Sequence, residues 1–194
     1  MMLPANPAMY IVAVRGGYAG LIFQPGSAGG KLIRIYMPCP TKEKLLQDIH
    51  RRYGRNIAAI TEAKPGSAAA AAAAFLQSYY SGGAQSVDQK AAIKRASPLI
   101  DWGQVGDFDR QVLLFTAGIA WGRTCTYGEV AAGIGRAGAA RAVGAALGRN
   151  PWPVLIPCHR VLGAGGKLTG FSGAGGIATK KRMLAMENST LTAS

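Results

Sequence analysis

Val154-Leu155-Ile156-Pro157-Cys158-His159-Arg160-Val161 is the stretch on which the reading of this chain turns. Three apolar residues run into a proline, and a thiol follows beside a histidine and an arginine. Proline removes a backbone donor and restricts Ile156 to an extended conformation, so the segment reads as a buried, extended approach to Cys158. A free thiol has a pKa of roughly 8.5 and is a poor nucleophile near neutrality. An imidazole, a guanidinium such as that of Arg160, or a helix N-terminus lowers that value and makes a nucleophile. An isolated Cys-His pair would read first as a core cysteine beside a chance histidine. The residues around this one argue otherwise.

Working outward, the chain ahead of this stretch is helical in pattern. From Asp107, the residues Phe108, Val112, Phe115 and Ile119 fall on one stripe, with Gly122 as the expected stop. Thr126 and Glu129 form a capping-box pair that opens a second helix. Gly133 to Gly138 supplies a turn, and Ala139 to Arg149 a third helix. Two short helices across a glycine-containing turn predict a helix-turn-helix. The second of these is nearly bare, since Ala139, Ala140, Ala142, Gly144, Ala145 and Ala146 leave bulk only at Arg141, Val143 and Leu147. Small residues permit close helix packing. They also let a thin helix enter a minor groove, where pairing is probed and sequence is read poorly.

Further upstream the hydrophobic period changes. Residues 8 to 14 and 18 to 24 are rich in β-branched and aromatic side chains, and Gly16-Gly17 between them reads as a hairpin turn. A third strand is expected over Lys31 to Met37. Thr41 opens a helix with Leu45, Ile49 and Tyr53 on one face. Ser67 caps an alanine-rich helix that ends near Tyr80 at Gly82-Gly83. Residues 84 to 106 read as a linker with a short strand over Pro98 to Trp102. The predicted fold is an α+β N-terminal domain, a small antiparallel sheet with helices, over residues 1–101. A mainly α-helical C-terminal domain with a helix-turn-helix follows over residues 102–194.

The 194 residues carry 22 basic and 9 acidic groups, a formal charge of +13 that points to a polyanionic partner. Residues 1–101 hold 12 of the basic and 5 of the acidic groups, so the excess is spread along the chain and forms no tail. Such charge supplies affinity for phosphates without sequence preference. No apolar run approaches the ~20 residues of a membrane span, so no membrane association is expected. Met1 to Tyr10 has neither the charged start nor the apolar core of a secretory signal. Cys39, Cys125 and Cys158 are too few and too scattered for a disulfide framework, which suits a reducing, cytoplasmic setting. With two histidines, no metal-ligand spacing is present and no metal or cofactor is expected.

Arg141-Ala142-Val143-Gly144-Ala145-Ala146, Asn150-Pro151 and Pro153 to Val161 together resemble the active-site block of the O6-alkylguanine-DNA alkyltransferases. The likeness extends upstream through Phe108 to Val112 and Thr126 to Ala131. Downstream it runs through Gly170-Phe171-Ser172-Gly173 and Lys180 to Glu187, covering about 80 residues in unbroken order. It implies direct-reversal DNA repair: one-time transfer of the alkyl group of O6-alkylguanine, and of O4-alkylthymine, in double-stranded DNA to Cys158. The resemblance assigns Glu187 to polarise His159, His159 to take the thiol proton through a water, and Tyr127 to crowd the DNA backbone and donate a proton to guanine N3. It assigns Arg141 to fill the stack vacated by the flipped base, with Thr126, Ala139, Ala140, Ala142 and Gly144 along the DNA. Asn150 would tie the turn between recognition helix and active-site segment. Val161 and Ser172 would hold the guanine edge, Leu147 and Pro153 would line the alkyl pocket, and Phe171 would pack over it. Phe171 stands where many relatives carry tyrosine, and Gly173-Ala174-Gly175-Gly176 is longer and richer in glycine than in some. The protein is expected to act as a monomer in the cytoplasm, associated with the nucleoid, or in the nucleus of a eukaryote.

Three other readings compete. A non-catalytic alkyl-lesion binder would lack the nucleophile, and Cys158 is present. A Cys-His hydrolase needs a histidine facing the thiol from elsewhere in the fold, and His50 is the one other candidate. A helix-turn-helix regulator needs base-reading side chains that the bare helix lacks.

Overall fold

The computed structural model describes residues 7–26, 30–55, 57–60, 66–82 and 97–187. The described residues fall into two compact units, 7–82 with 97–104 and 105–187. Strands β1 (Ala8–Val14), β2 (Gly17–Gln24) and β3 (Lys31–Cys39) form an antiparallel meander in the first unit. The hairpin closes on Arg15-Gly16, with Val14 opposite Gly17. Gly17 (φ 139°) must be glycine, because a Cβ there would lie 2.0 Å from the Cys39 carbonyl oxygen. A fourth strand, β4 (Ala58–Ile60), pairs parallel with β1 and gives the order β3-β2-β1-β4.

Helix α1 (Lys42–Tyr53) starts where Thr41 accepts the Lys44 N–H at 3.2 Å, and buries Leu45 and Ile49. They pack with Met9, Ile22, Ile33 and Cys39 on one face of the sheet, with Tyr53 half-buried beside them. Helix α2 (Ala68–Ser81) is capped by Ser67 and stopped by Gly82 in the left-handed region. Its alanines bury little, and Leu76 and Tyr79 supply the bulk of its inner face. The short strand expected over Pro98 to Trp102 is absent. One-turn 3₁₀ segments occupy Ser97–Leu99 and Trp102–Gln104, and Ile100 makes an isolated bridge to Leu32. Proline at position 98 cannot donate to a ladder, which leaves only a single bridge. The linker expected before Ser97 lies outside the described residues.

In the second unit, α3 (Asp107–Ala117), α4 (Tyr127–Gly133) and α5 (Ala140–Gly148) contact one another around buried Val112, Leu113, Val130, Ala131, Val143, Ala146 and Leu147. The capping box is complete, with Thr126 bonded to the Glu129 N–H and Glu129 to the Thr126 N–H. Helix α3 ends at Gly118 and not at Gly122. Ile119 stays buried on the same stripe, but its carbonyl leaves the helical ladder and becomes available to a side chain. A two-residue parallel ladder pairs β5 (Cys125–Thr126) with β6 (Val161–Leu162), which fixes the start of α4 against the segment leaving Cys158. Helix α6 (Gly176–Met186) ends in Glu187. Among the described residues, no helix is long and apolar enough to cross a membrane.

Candidate active site

Cys158 opens a single 3₁₀ turn, Cys158–Arg160. Its approach is a folded turn and not the extended segment expected from Pro157. Pro157 sits at φ −80°, ψ 64°, and the Cys158 N–H donates back to the Ile156 carbonyl at 2.8 Å, an inverse γ-turn. Ahead of it, the Ile156 N–H donates to the Trp152 carbonyl at 2.8 Å. Val154 turns through φ 74°, a strained conformation for a β-branched residue. Asn150 binds both ends of this turn, its Nδ2 donating to the Ile156 carbonyl at 2.9 Å and its Oδ1 accepting the Trp152 N–H at 3.0 Å. A side chain that satisfies these main-chain groups removes the need for a strand partner.

Behind the turn lies a buried polar network. Thr116, Asn150, His159, Arg160, Lys180 and Glu187 are the buried polar residues among those described, and all six belong to this unit. Buried charges persist only when paired and hydrogen-bonded, and these are. His159 Nε2 lies 2.7 Å from Glu187 Oε1 across 28 residues of sequence. Arg160 donates from Nε to Glu187 Oε2 at 2.7 Å, from Nη2 to Oε1 at 3.0 Å, and from Nη1 to the Ile119 carbonyl at 2.6 Å. The Arg160 guanidinium thus serves the carboxylate, where the sequence alone suggested help to the thiol. Burial disfavours the Glu187 carboxylate, but the bonds from His159 and Arg160 outweigh it and hold its pKa at about 2. Burial pushes the His159 imidazole below its ordinary value against the pull of Glu187. The resting arrangement is a neutral imidazole on an ionised carboxylate.

The three thiols differ in their surroundings. Burial raises all of them. Cys125 has the Glu129 carboxylate beside it, and near Cys39 the charge of Asp48 outweighs that of Lys44, so both are pushed further up. Cys158 is drawn back down by the Asn150 amide, by the Lys180 ammonium and by the N–H groups of Cys158 and His159. Lys180 is itself buried, with Nζ donating to the carbonyls of Val161 at 2.6 Å and Thr169 at 3.1 Å and lying 5.7 Å from the centre of the Tyr127 ring. The sequence offered only its place in the motif. A lysine on a helix reads as solvent-facing, and the loop carbonyls that hold this one are contributed by non-adjacent residues.

The Cys158 side chain faces a cavity of about 380 Å³, within the ~300–1,000 Å³ range of small-molecule sites. Tyr127, Gly144, Leu147, Phe171 and Ser172 line it, together with Gly170 of the same motif and with Gly148 and Thr169, which the sequence had not singled out. Asn150 is engaged inside the turn, the place the resemblance gave it, and lies outside the cavity wall. Two further residues expected at the base are also outside that wall: Pro153 bridges to Ile156, and Val161 is buried in β6 with its carbonyl bound to Lys180. Gly144 faces the Tyr127 ring, where a Cβ would lie 3.7 Å from the nearest ring carbon.

On the outer surface of α5, Arg141 and Ala142 are exposed, and Ala139 and Ala140 are half-buried at its start. Thr126 is taken up as the cap of α4. Arg110, Arg123, Arg136, Lys167, Lys181 and Arg182 are exposed on the same unit. Arg149, next to Asn150, forks onto Asp109 of α3 at 2.9 and 2.8 Å, which anchors the end of α5.

Residues 107–189 match the family described as 6-O-methylguanine DNA methyltransferase, DNA binding domain. A methylated-DNA–protein-cysteine methyltransferase of Mycobacterium tuberculosis is 51% identical over 83 residues, 43% of this chain and 49% of the relative. The matched segment thus spans about half the length of the mycobacterial relatives. The enzyme of the same name from Methanosarcina barkeri is 41% identical over 120 residues, 62% of this chain and 68% of its own length. The crystal structure of Mycobacterium tuberculosis OGT in complex with DNA superposes with a TM-score of 0.66 at 31% identity, covering 94% of this chain and 93% of that one. Likeness that runs through both units and includes the Cys158 turn leaves one assignment: the chain belongs to the methylated-DNA–protein-cysteine methyltransferase family.

Proposed function

We propose that this chain repairs double-stranded DNA by transferring the alkyl group of O6-alkylguanine, once, to the sulfur of Cys158. The observation that carries the reading is a thiol facing a base-sized cavity, with the next residue in its turn, His159, paired to a buried Glu187 at the end of α6. With the Nε2 hydrogen directed at Glu187, the other ring nitrogen of His159 is the basic one, and it accepts the thiol proton. The Asn150 amide and the Lys180 ammonium then favour the thiolate. Sulfur attacks the alkyl carbon in line, the carbon–O6 bond breaks with its electron pair on guanine, and a proton from the Tyr127 hydroxyl to N3 lets the base leave neutral. The thioether formed is not hydrolysed, so each molecule reacts once.

O6 of guanine lies inside the stacked pair, so the nucleotide has to be rotated out at a cost of a few kcal/mol. Arg141, exposed on a helix of small residues, fits the role of filling the vacated stack with a planar cation. The exposed arginines and lysines around it supply phosphate contacts. O4-alkylthymine offers the same displacement chemistry at a second base.

Incubation with a duplex containing O6-methylguanine, followed by nucleoside analysis of the DNA, tests the reading. The expected result is one guanine restored per protein molecule and no further conversion. Persistence of the lesion with retained binding would make the protein a lesion binder, and turnover beyond one would rule out the thioether product.

A further inference from the structure

The proposed mechanism uses His159 and Glu187 but leaves the fully buried Arg160 unassigned. Its guanidinium fork meets both carboxylate oxygens of Glu187, at 2.7 and 3.0 Å, and its third arm donates to the Ile119 carbonyl, freed where α3 ends. Trp121 lies beneath it, with the guanidinium carbon 5.8 Å from the ring centre. Glu187 Oε1 is shared: it accepts from both Arg160 and His159. One carboxylate is therefore divided between a permanent cation and an imidazole.

Resting on the proposed function, we infer that Arg160 is a positioning residue for alkyl transfer: it fixes the plane of the Glu187 carboxylate and shares its charge, so that His159 meets the thiol as a neutral proton acceptor. Burial disfavours the imidazolium, Glu187 pulls the other way, and the Arg160 charge offsets part of that pull. A carboxylate without the fork could rotate Oε1 away from Nε2. The Arg160 fork holds it in place, and bidentate geometry is what a lysine cannot reproduce. Three ionisable groups bear on the ring: Glu187 and Lys180 from the α6 side, and Arg160 from its own turn. Of these, Glu187 favours the protonated ring, while Arg160 and Lys180 oppose it.

The test pairs a wild-type measurement with two variants. The chain has only two histidines, so ring nitrogen NMR resolves His50 and His159 in the intact protein. The His159 ring should titrate below the ordinary imidazole value of 6.5, and a midpoint at or above 6.5 would overturn the inference outright. Transfer from free O6-benzylguanine is then followed against pH in single-turnover assays. Removing a neighbouring cation raises the pKa of the groups around it by about one unit or more. Arg160→Met should therefore move the acid limb of the rate profile upward, so that the loss is greater at pH 6 than at pH 9. Arg160→Lys keeps the charge and should leave that limb in place while slowing the rate at every pH. Losses of equal size at all pH values in both folded variants would reduce Arg160 to a structural residue. If Arg160→Met does not fold, the wild-type titration still decides. A failure of the proposed function itself would look different, since no variant and no wild-type protein would then acquire an alkyl group.

Discussion

The side-chain amide of Asn150 donates to the main-chain carbonyl of Ile156 at 2.9 Å, while its oxygen accepts the Trp152 N–H at 3.0 Å. This pair of bonds joins the end of α5, the helix that carries Arg141, to the turn that carries Cys158. The same amide also lowers the thiol pKa against the effect of burial.

Asn150→Ala should therefore do two things. It removes one of the two donors to the Ile156 carbonyl and the side-chain acceptor of the Trp152 N–H, a loss of about 1–3 kcal/mol, and it raises the pKa of Cys158. Denaturant unfolding and the pH dependence of thiol alkylation read the two effects separately. Unchanged stability together with unchanged thiol reactivity would show that the turn holds itself.

Acid should weaken the fold in two stages. The imidazole of His159 is held below its ordinary 6.5, so the unfolded chain takes up that proton first and stability begins to fall below that pH. Glu187 is held at about 2 against an ordinary 4.5. Its contribution is complete above the unfolded value and is lost as pH falls through the folded one, a difference on the order of 3 kcal/mol. Urea midpoints measured from pH 7 to 3 should decline slowly at first and then steeply. Glu187→Gln should remove the steep part and lower stability at pH 7, because it leaves Arg160 buried without its counter-charge. A midpoint independent of pH over that range would contradict the pairing.

Gly133 closes α4 against α3, where a Cβ would stand 2.1 Å from Phe115 Cε2 and 2.6 Å from Cζ. An aromatic ring at that distance has to move as a body. Gly133→Ala should destabilise the protein by about 1–3 kcal/mol through overpacking, despite the better helix propensity of alanine. A thermal midpoint equal to or above wild type would mean that the ring relocates freely.

Local signals made much of the fold legible. Thr41, Ser67 and the Thr126–Glu129 box cap their helices by hydrogen bonds to residues three positions on, which a sequence displays directly. The hairpin followed from two runs rich in β-branched and aromatic residues on either side of Gly16-Gly17. What escaped depends on distant partners. Ala58–Ile60 is three residues long and becomes a strand only by adding to β1. The folded approach to Cys158 depends on the Asn150 side chain, and the left-handed Val154 leaves no trace in residue type. Lys180 and Arg160 look like surface cations until the Val161, Thr169 and Ile119 carbonyls and Glu187 close on them. The His159–Glu187 pairing was legible only through family resemblance, since no spacing rule connects residues 28 positions apart.

Arg141 separates base flipping from chemistry. It is exposed on α5 and lies outside the cavity wall. Arg141→Ala should slow repair of a methylated duplex far more than reaction with free O6-benzylguanine, which needs no unstacking. Equal losses on both substrates in single-turnover assays would assign the residue to the pocket or the fold.

The central claim is that Cys158, of three cysteines, is the alkyl acceptor. It is the one among them that an amide and a cation pull towards the thiolate with no carboxylate pushing back. Peptide mass mapping after reaction with an O6-methylguanine duplex tests this most directly. One added methyl group on the peptide carrying Cys158, with none after Cys158→Ala although DNA binding persists, is the result the account predicts. A methyl group on Cys39 or Cys125, or an unmodified protein beside repaired DNA, would contradict it.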